Sequence, residues 1–378
     1  MRLKVATLIA VVVTPIATGT SPAVQTAIAR RATRRRLSRR RAASSLLAVV
    51  VALACAPAAQ ATFPGRDGQL LLGGEQNVLS VVAVHGHPHR IVSLYFNGQG
   101  CEADVTSAAF SPDGKRVAYT GVWSYGSPAF CVGYTPSQLG TEIVTASANG
   151  SHRHVLVRLP SGSNGGGLVN ANYGVSLALA FSPNGRQLAY ASPITSVSAP
   201  AITIIDAKTG KRRRIIGLSF PSSVAWGSSS ELAYTTGTID AMRADGSHRR
   251  QITNGGRGTD SDPNWSPDGK RLAFLRDVQT LECIAPDRAA PIARPADSNC
   301  SQVDHTDIYV VATNGSHLKR LTYFGQATGP VWSPDGKQIA FYDNNRHIIA
   351  VPAGGGRAKT LVTGAMIPAD WQALPKPH

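Results

Sequence analysis

The sequence predicts an all-β fold, a six-bladed β-propeller whose blades are four-stranded antiparallel sheets. The first observation is an internal repeat, which is best sought before anything else. Four clear copies read FSPDGKRVAY at Phe110–Tyr119, FSPNGRQLAY at Phe181–Tyr190, WSPDGKRLAF at Trp265–Phe274 and WSPDGKQIAF at Trp332–Phe341. Two worn copies, Phe63–Leu72 and Trp226–Tyr234, bring the number of units to six. The second observation is a later tight turn in each unit, and four strands repeated six times describe a propeller.

The repeated phrase predicts a hairpin between the first two strands of each blade. Proline fixes φ at the second position of the turn, Asp or Asn bonds the backbone two residues on, and Gly supplies a positive φ. The returning stretch is apolar at consecutive positions, as in Val117-Ala118-Tyr119. This pattern is typical of a strand that is buried on both faces between neighbouring sheets.

A second set of turns predicts the hairpin between strands three and four. Asn-Gly and Asp-Gly are strong two-residue hairpin signals. They and their equivalents occur once in each of five units, at Asn149-Gly150, Thr209-Gly210, Asp245-Gly246, Asn314-Gly315 and Gly354–Gly356. The strand pairs Ala201–Ala207 with Arg212–Leu218 and Asp307–Thr313 with Leu318–Tyr323 are the clearest examples.

The C-terminal segment is predicted to close the ring. The lead aromatics of the six units, followed by Trp371, are separated by 47, 71, 45, 39, 67 and 39 residues. A four-stranded blade needs about 40 residues, so two of these intervals carry insertions. Trp371 stands where a seventh phrase would start, and we expect it to lie in the innermost strand of blade one. Closure of this kind removes the free sheet edges that promote aggregation.

Residues 1–61 are expected to form a basic leader and signal peptide, and residues 62–378 a single propeller domain. Eight arginines between Arg30 and Arg41 precede the apolar run Leu46–Cys55 and the small residues Ala59 and Ala61. These are the features that export and cleavage require, so we expect a periplasmic or extracellular protein. The apolar run is shorter than the roughly 20 residues of a membrane span, so no stable span is expected in the mature chain.

The charge of the chain is concentrated in this leader. The net charge is +16 and the pI about 10.1, but residues 1–61 hold ten basic and no acidic residues. The remaining 28 basic and 22 acidic residues give a modest excess. A nucleic-acid partner is therefore not expected.

Four cysteines follow the predicted cleavage site, and an exported protein meets an oxidising compartment. An even number of cysteines predicts disulfides, here with three possible pairings. We favour Cys101–Cys131 and Cys283–Cys300, because the repeat places each pair in loops that lie close together. A metal site is the alternative, although no CxxC spacing occurs.

Five insertions are predicted to share one face of the ring. Gly121–Leu139 and Asp277–Thr306 connect second and third strands, whereas Asn97–Asp104, Pro160–Tyr173 and Asn254–Asp262 cross between blades. Both kinds of connection lie opposite the Ser-Pro-Asp-Gly turns, because the strands alternate in direction. Loops on a rigid scaffold commonly carry function, so this face is the predicted binding surface. Neutral variation in loop length is the alternative.

Eight residues of this face are candidate binding residues. The blade-two insertion contributes aromatic side chains that suit stacking on a sugar or a partner peptide, or packing on the ring, at Trp123, Tyr125 and Tyr134. The crossings contribute a mainly acidic set near the axis, at Glu102, Asp104, Tyr173, Asp260 and Asp262. An acidic mouth suits a structural cation or a basic partner, and the capping of strands and turns is the alternative. No other cofactor is expected.

The repeats resemble those of the TolB-type six-bladed propeller, part of the WD-like repeat families of bacterial envelopes. The resemblance covers about residues 62–374. It implies an exported protein that docks an envelope protein or polysaccharide. TolB proteins carry a separate α/β domain before the propeller, whereas only the leader is expected here.

The sequence points away from catalysis. It contains no nucleophile elbow, no glycine-rich phosphate loop after a strand and no HExxH motif. We therefore expect a monomeric, non-enzymatic binding protein. Two alternatives stay open, namely a propeller lyase or hydrolase with a site at the axial mouth, and a sensor ectodomain that keeps its leader.

Overall fold

A computed structural model of the chain describes residues 63–73, 78–84, 86–93, 107–124, 139–160, 169–170, 173–174, 178–192, 199–219, 221–283, 300–364 and 367–375. These residues belong to one compact unit, Leu53–His378. The predicted leader, residues 1–61, lies outside the described residues. No helix within the described ranges is long and apolar enough to cross a membrane.

The described strands form six antiparallel sheets of four strands, each of which is one blade. Blade one contains β1 (Arg66–Gly73), β2 (Val78–Val82) and β3 (His89–Ser93); blade two contains β4 (Ala108–Phe110), β5 (Arg116–Ser124), β6 (Leu139–Ser147) and β7 (His154–Pro160). The short strands β8 (Val169–Asn170) and β9 (Tyr173–Gly174) pair with each other. Blade three contains β10 (Leu179–Phe181), β11 (Gln187–Ser192), β12 (Ala201–Asp206) and β13 (Arg212–Gly217).

The same plan continues through the second half of the chain. Blade four contains β14 (Val224–Trp226), β15 (Glu231–Thr235), β16 (Ile239–Arg243) and β17 (Arg250–Gln251). Blade five contains β18 (Gly258–Trp265), β19 (Arg271–Cys283), β20 (Cys300–Ala312) and β21 (Lys319–Arg320). Blade six contains β22 (Thr328–Trp332), β23 (Gln338–Tyr342), β24 (His347–Pro352) and β25 (Lys359–Thr363), and the last strand is β26 (Ile367–Leu374).

The last strand closes the ring, as the sequence predicted. β26 pairs antiparallel with β1 and is the innermost strand of blade one, with Trp371 opposite Leu70. Trp371 is fully buried, and its indole N–H donates to the carbonyl of Gly68 at 3.2 Å. Two ends of the chain about 300 residues apart therefore share one sheet.

The repeated turn has the predicted hydrogen bonds. In blade two the Lys115 N–H donates to Asp113 Oδ1 at 3.1 Å, and the Arg116 N–H donates to Ser111 Oγ at 3.0 Å. Gly114 has a φ of 66°, the left-handed region in which glycine is unstrained. The corresponding Ser–Asp or Ser–Asn pairs repeat these bonds in blades three, five and six.

The first strands of blades one and five are fastened to the next blade by side chains near the lead aromatic. Asp370 accepts the backbone N–H of Phe110 at 2.7 Å, and Asn264 accepts that of Trp332 at 2.9 Å. The arginine that follows the repeated turn adds a cation–π contact in blade five, where the guanidinium of Arg271 lies 4.6 Å from the Trp332 ring. The blades are therefore joined by directional bonds as well as by apolar packing.

Two predicted loops begin and end as strands. Asp277–Thr306 was expected to be a loop, but seven residues at each of its ends continue the β19–β20 ladder from Asp277–Thr306 to Cys283–Cys300. Likewise β5 and β6 stay paired as far as Ser124–Leu139. The extension follows from the residues, because β-branched Val278, Thr280 and Val303 favour a pleated strand and backbone donors pair best in a ladder.

We expect Trp371→Ala to destabilise the domain by about 3–5 kcal/mol, since it removes a fully buried indole and leaves a cavity in the closing strand. The measurement is equilibrium urea unfolding followed by circular dichroism. Leu318→Ala is the matched control, because Leu318 is 45% exposed and should change the unfolding free energy by less than about 0.5 kcal/mol. Equal effects of the two changes would contradict a closing role for Trp371.

Candidate functional site

The strand order divides the ring into two faces. Successive strands are antiparallel, so the Ser-Pro-Asp/Asn-Gly turns and the third-to-fourth turns lie at one end of each blade. The second-to-third connections and the crossings between blades lie at the other end, which we call the loop face. The long hairpins β5–β6 and β19–β20 both extend from the loop face.

The predicted binding residues fall into two groups. Four of them lie outside the described residues, namely Glu102, Asp104, Tyr125 and Tyr134. Trp123 lies in β5 opposite Gly140, and Tyr173 lies in β9 opposite Asn170, with only their backbone positions described. A stacking site and a cation at an acidic mouth remain predictions for these six positions.

Asp260 forms a buried ion pair inside blade five. It is 1% exposed, and its carboxylate accepts two bonds from the guanidinium of Arg276, from Nε at 2.6 Å and from Nη2 at 2.8 Å. Arg276 also lies over the rings of Phe274 and Tyr309, at 5.5 and 5.1 Å from their centroids. A carboxylate paired in this way is a structural anchor and does not face solvent at a mouth.

Asp260 and Arg276 begin a polar rung that crosses the whole of blade five. The ladder places Asp260 opposite Arg276 and Arg276 opposite Asp307, so all three side chains share one face of the sheet. Asp307 is 2% exposed and accepts from Arg320 Nη2 at 2.6 Å and from Thr322 Oγ1 at 2.7 Å. The rung thus alternates carboxylate, guanidinium, carboxylate and guanidinium from the axis to the rim.

The outer end of this rung shapes the crossing from blade five to blade six. Asp307 Oδ1 also accepts the backbone N–H of Phe324 at 2.9 Å, and Arg320 Nε donates to the carbonyl of Thr322 at 2.9 Å. The guanidinium of Arg320 lies 4.3 Å from the ring centroid of Tyr323, which is 77% exposed. The crossing therefore holds Tyr323 outward in one defined position.

Phe324 completes an exposed aromatic pair. It is 49% exposed, and its ring packs at 5.6 Å on Phe341, a fully buried residue of blade six. We call Arg320, Tyr323 and Phe324 the aromatic platform. The crossing lies against the base of the β19–β20 hairpin, where the Thr306 N–H donates to the Gly325 carbonyl at 2.8 Å.

None of the eight predicted binding residues belongs to the aromatic platform. The fourth strand was expected to be Leu318–Tyr323, but the observed β21 is Lys319–Arg320, so Tyr323 and Phe324 lie in the crossing. They are consecutive aromatics in a short connection that no repeat consensus requires. The predicted binding residues all lie in insertions, and this crossing is not an insertion. Consecutive aromatic residues in a short connection indicate an exposed apolar patch, and such patches mark interaction sites.

Asp262 occupies a strained and buried position in the innermost strand of blade five. Its φ is 50°, and the β18–β19 register shifts by one residue between Ser261 and Asn264, which is a β-bulge. The side chain is 1% exposed, and neither carboxylate oxygen has a hydrogen-bond partner among the described residues. Burial raises the pKa of Asp262 to about 8.

No metal centre is evident in the part of the chain that the structure describes. Within it, no three His, Cys, Asp or Glu side chains converge as metal ligands would. The two described members of the predicted acidic mouth, Asp260 and Asp262, are both buried. The location of the binding surface on the loop face stays a prediction.

The β19–β20 ladder brings two cysteines together at its end. Cys283 lies directly opposite Cys300, with only their backbone positions described. The Thr313 N–H donates to the Lys270 carbonyl, so that rung is hydrogen-bonded, and the ladder has no register shift. Counting alternate rungs makes Cys283–Cys300 a non-hydrogen-bonded pair. Cα atoms in such pairs are about 4.5 Å apart, within the range of a disulfide.

Comparison with curated proteins gives partial matches. No family model matches the chain. The Protein TolB homolog of Chlorobium chlorochromatii (strain CaD3) is 28% identical over 144 residues, which are 37% of this chain and 32% of the relative. The uncharacterized peptidase YuxL of Bacillus subtilis (strain 168) is 30% identical over 80 residues, 21% of this chain and 9% of the relative. The chain thus matches about a third or less of the length of these relatives.

Comparison with solved structures extends the match to the whole ring. TolB from Acinetobacter baumannii has a TM-score of 0.53 at 17% identity, covering 84% of this chain and 68% of that one. A chain of the nidogen/laminin complex has a TM-score of 0.55 at 13% identity, covering 82% of this chain and 100% of that one. At such identities the structures show a shared fold alone. Sequence and fold together make this chain a TolB-like six-bladed β-propeller.

We expect Cys283 and Cys300 to form a disulfide with each other under oxidising conditions. Peptide mapping by mass spectrometry without reductant should recover one linked peptide pair that lacks two hydrogens and separates on reduction. A Cys283→Ser variant is the control, since it should leave Cys300 as a free thiol. Recovery of either cysteine bonded to Cys101 or Cys131 would contradict the register argument.

We expect Asp262 to make the stability of the domain fall as pH rises. Its folded pKa of about 8 lies above the ordinary value of 3.8, so the folded state keeps a proton that the unfolded chain releases. The associated stability is complete below about pH 4 and is lost as pH rises through about 8. Asp262→Asn carries no charge and tolerates a positive φ, so its gain in the free energy of unfolding over the wild type should be larger at pH 9 than at pH 5 by at least about 1 kcal/mol.

Urea unfolding at pH 5, 7 and 9 measures this difference. Asp245→Asn is the matched control, because the Asp245 carboxyl is exposed and its pKa is lowered by hydrogen bonds from Ser247. Its effect should stay constant from pH 5 to 9. A constant effect for Asp262→Asn over the same range would refute the titration of Asp262.

Proposed function

We propose that this chain is an exported, non-enzymatic binding protein that docks an envelope protein or polysaccharide through its loop face. The TolB-like fold supports a binding role, and the basic leader with its apolar run and small residues supports export. The single observation that carries the proposal is the aromatic platform. The exposed surface of these aromatic side chains does not contribute to the packing of the ring, so it is available to a partner.

The platform has the composition of a binding hot spot. Tyr and Arg are enriched among the residues that dominate binding free energies, and both are present here in contact. Tyr323 exposes both a ring face and a polar tip, which suits either a protein or a sugar surface. Phe324 adds apolar area beside it, since about half of its surface is exposed.

The platform is fixed before any partner arrives. Asp307 holds the backbone of Phe324 and the side chain of Arg320, and Arg320 in turn supports the Tyr323 ring. A side chain that is already held in place loses less conformational entropy on binding. The polar rung therefore supports recognition at the rim as well as the fold of blade five.

The β19–β20 hairpin forms a raised edge beside the platform. Its ladder continues for seven rungs beyond Arg276–Asp307, to Cys283–Cys300. The hydrogen bonds from Thr306 to Gly325 and from Ala327 to Thr306 join the base of the hairpin to the crossing. A partner that covers Tyr323 would therefore meet the hairpin as a side wall.

We expect Tyr323→Ala to weaken capture of the envelope partner at least tenfold, since truncation of an anchor costs more than about 1.4 kcal/mol. The measurement is quantitative capture from an envelope extract by the immobilised full-length mature chain, repeated with Trp123→Ala to test the predicted stacking residue. Protease treatment of the extract distinguishes a protein partner from a polysaccharide.

Leu318→Ala is the matched control for this experiment. Leu318 is an exposed apolar residue of the same blade that follows the third-to-fourth turn, on the face opposite the loop face. It should leave capture unchanged, and circular dichroism should show that all variants are folded. If Tyr323→Ala and Leu318→Ala capture equally well, the aromatic platform is not the docking site.

A further inference from the structure

A polar cavity lies at the seam between blades three and four. It is largely open to solvent, and its volume is about 500 Å³. One wall is the crossing Gly217–Ser219, and the other is built by Tyr234, Thr236, Asp240 and Arg249. The crossing and the second-to-third turn of blade four both belong to the loop face, so the cavity is on the proposed binding side of the ring.

The chain folds so that the polar groups of this cavity meet on one sheet face. Tyr234 lies opposite Asp240 in the β15–β16 ladder, and Asp240 lies opposite Gln251 in the β16–β17 ladder. Cross-strand neighbours share a face, and Arg249, two residues before Gln251, points the same way. The seam between the sheets therefore presents a phenol, a carboxylate and a guanidinium to one space.

Asp240 is held in place by neutral donors only. Its Oδ2 accepts the hydroxyl groups of Thr236 and Thr238, each at 3.1 Å, and burial raises the pKa of its carboxyl. The neighbouring carboxylates are paired with arginine, Glu231 with Arg250 at 2.7 Å and Asp206 with Arg213 at 2.9 Å. Asp240 forms no ion pair with any described residue. A half-buried carboxylate of this kind gains most from a cation supplied by a ligand.

Arg249 does not neutralise Asp240. Its Nε donates to the carbonyl of Gly246 at 3.2 Å and its Nη2 to the carbonyl of Gly217 at 3.4 Å. These bonds hold the guanidinium beside Gly217, next to the wall formed by the crossing. There it provides a donor for a ligand oxygen, at a place separate from the site of the ligand's cation.

We propose that this cavity binds an amino sugar, with its primary ammonium group on Asp240 and its hydroxyl groups on Tyr234, Thr236 and Arg249. The ammonium supplies the charge that Asp240 lacks, and a hydroxyl group both donates to and accepts from the phenol and threonine hydroxyls. A purely apolar amine would leave the polar wall without partners. The inference rests on the proposed binding function, because it names the chemistry of a saccharide that the loop face recognises.

The test uses D-glucosamine as the probe on the full-length mature protein at pH 7. Saturation-transfer NMR and calorimetry should show binding that weakens at least tenfold in Asp240→Asn. Binding of N-acetyl-D-glucosamine and D-glucose should also be at least tenfold weaker, because neither carries the ammonium group. Asp245→Asn is the matched control, since it removes an exposed carboxylate from the same blade and should leave glucosamine binding unchanged.

Several outcomes would overturn the proposal. They are no binding of glucosamine, equal binding of the acetylated sugar, equal loss in the Asp240→Asn and Asp245→Asn variants, or tighter binding of n-hexylamine than of glucosamine. The result is independent of envelope capture, because it is measured on purified protein with a soluble probe. If Tyr323→Ala abolishes capture while glucosamine does not bind, the docking function stands and the sugar site fails.

Discussion

The pairing of β26 with β1 is the constraint on which the rest of the structure depends. Without it, β1 would have a free edge at the axis and Phe110 would lose Asp370, the acceptor of its backbone N–H. With it, the six sheets form a closed ring. The antiparallel order of the strands within each blade decides which connections share a face, and the closed ring brings these connections from the six blades to one side, the loop face.

The innermost strands show what this closure demands of the residues near the axis. The position three residues before the lead aromatic is small or restricted in five blades, at Ser107, Ala178, Ser223, Gly329 and Pro368. In blade six the equivalent bulge has Gly329 at a φ of 63°. Glycine adopts this φ without strain because it has no Cβ. Blade five has Asp262 in the same backbone conformation. At this position blade five therefore has a strained φ and a buried carboxyl, whereas the other five blades have a small or restricted residue.

The repeat made most of the fold predictable from sequence. Features that depend on contacts outside the repeat were not predictable. Pro112, Asp113 and Gly114 determine a turn by local chemistry, so their hairpin could be derived from sequence. The platform at Tyr323 depends on contacts between distant segments, which local patterns do not encode. Asp260 was expected near a solvent-facing mouth, but a sequence does not show that Arg276 lies opposite it.

The polar rung of blade five has a cost that apolar side chains would avoid. Desolvating Asp260, Arg276 and Asp307 is offset by close hydrogen bonds between Asp260 and Arg276 and between Asp307 and its donors, which include Arg320. Well-packed apolar residues commonly serve stability as well. Apolar residues would not fix the path of the crossing, because they form no directional hydrogen bonds. Asp307 accepts from Arg320, Thr322 and Phe324, and so fixes the path of the crossing that carries Tyr323. The rung is best explained as a positioning device, which links a buried charge pattern in the sheet to one exposed aromatic side chain on the loop face.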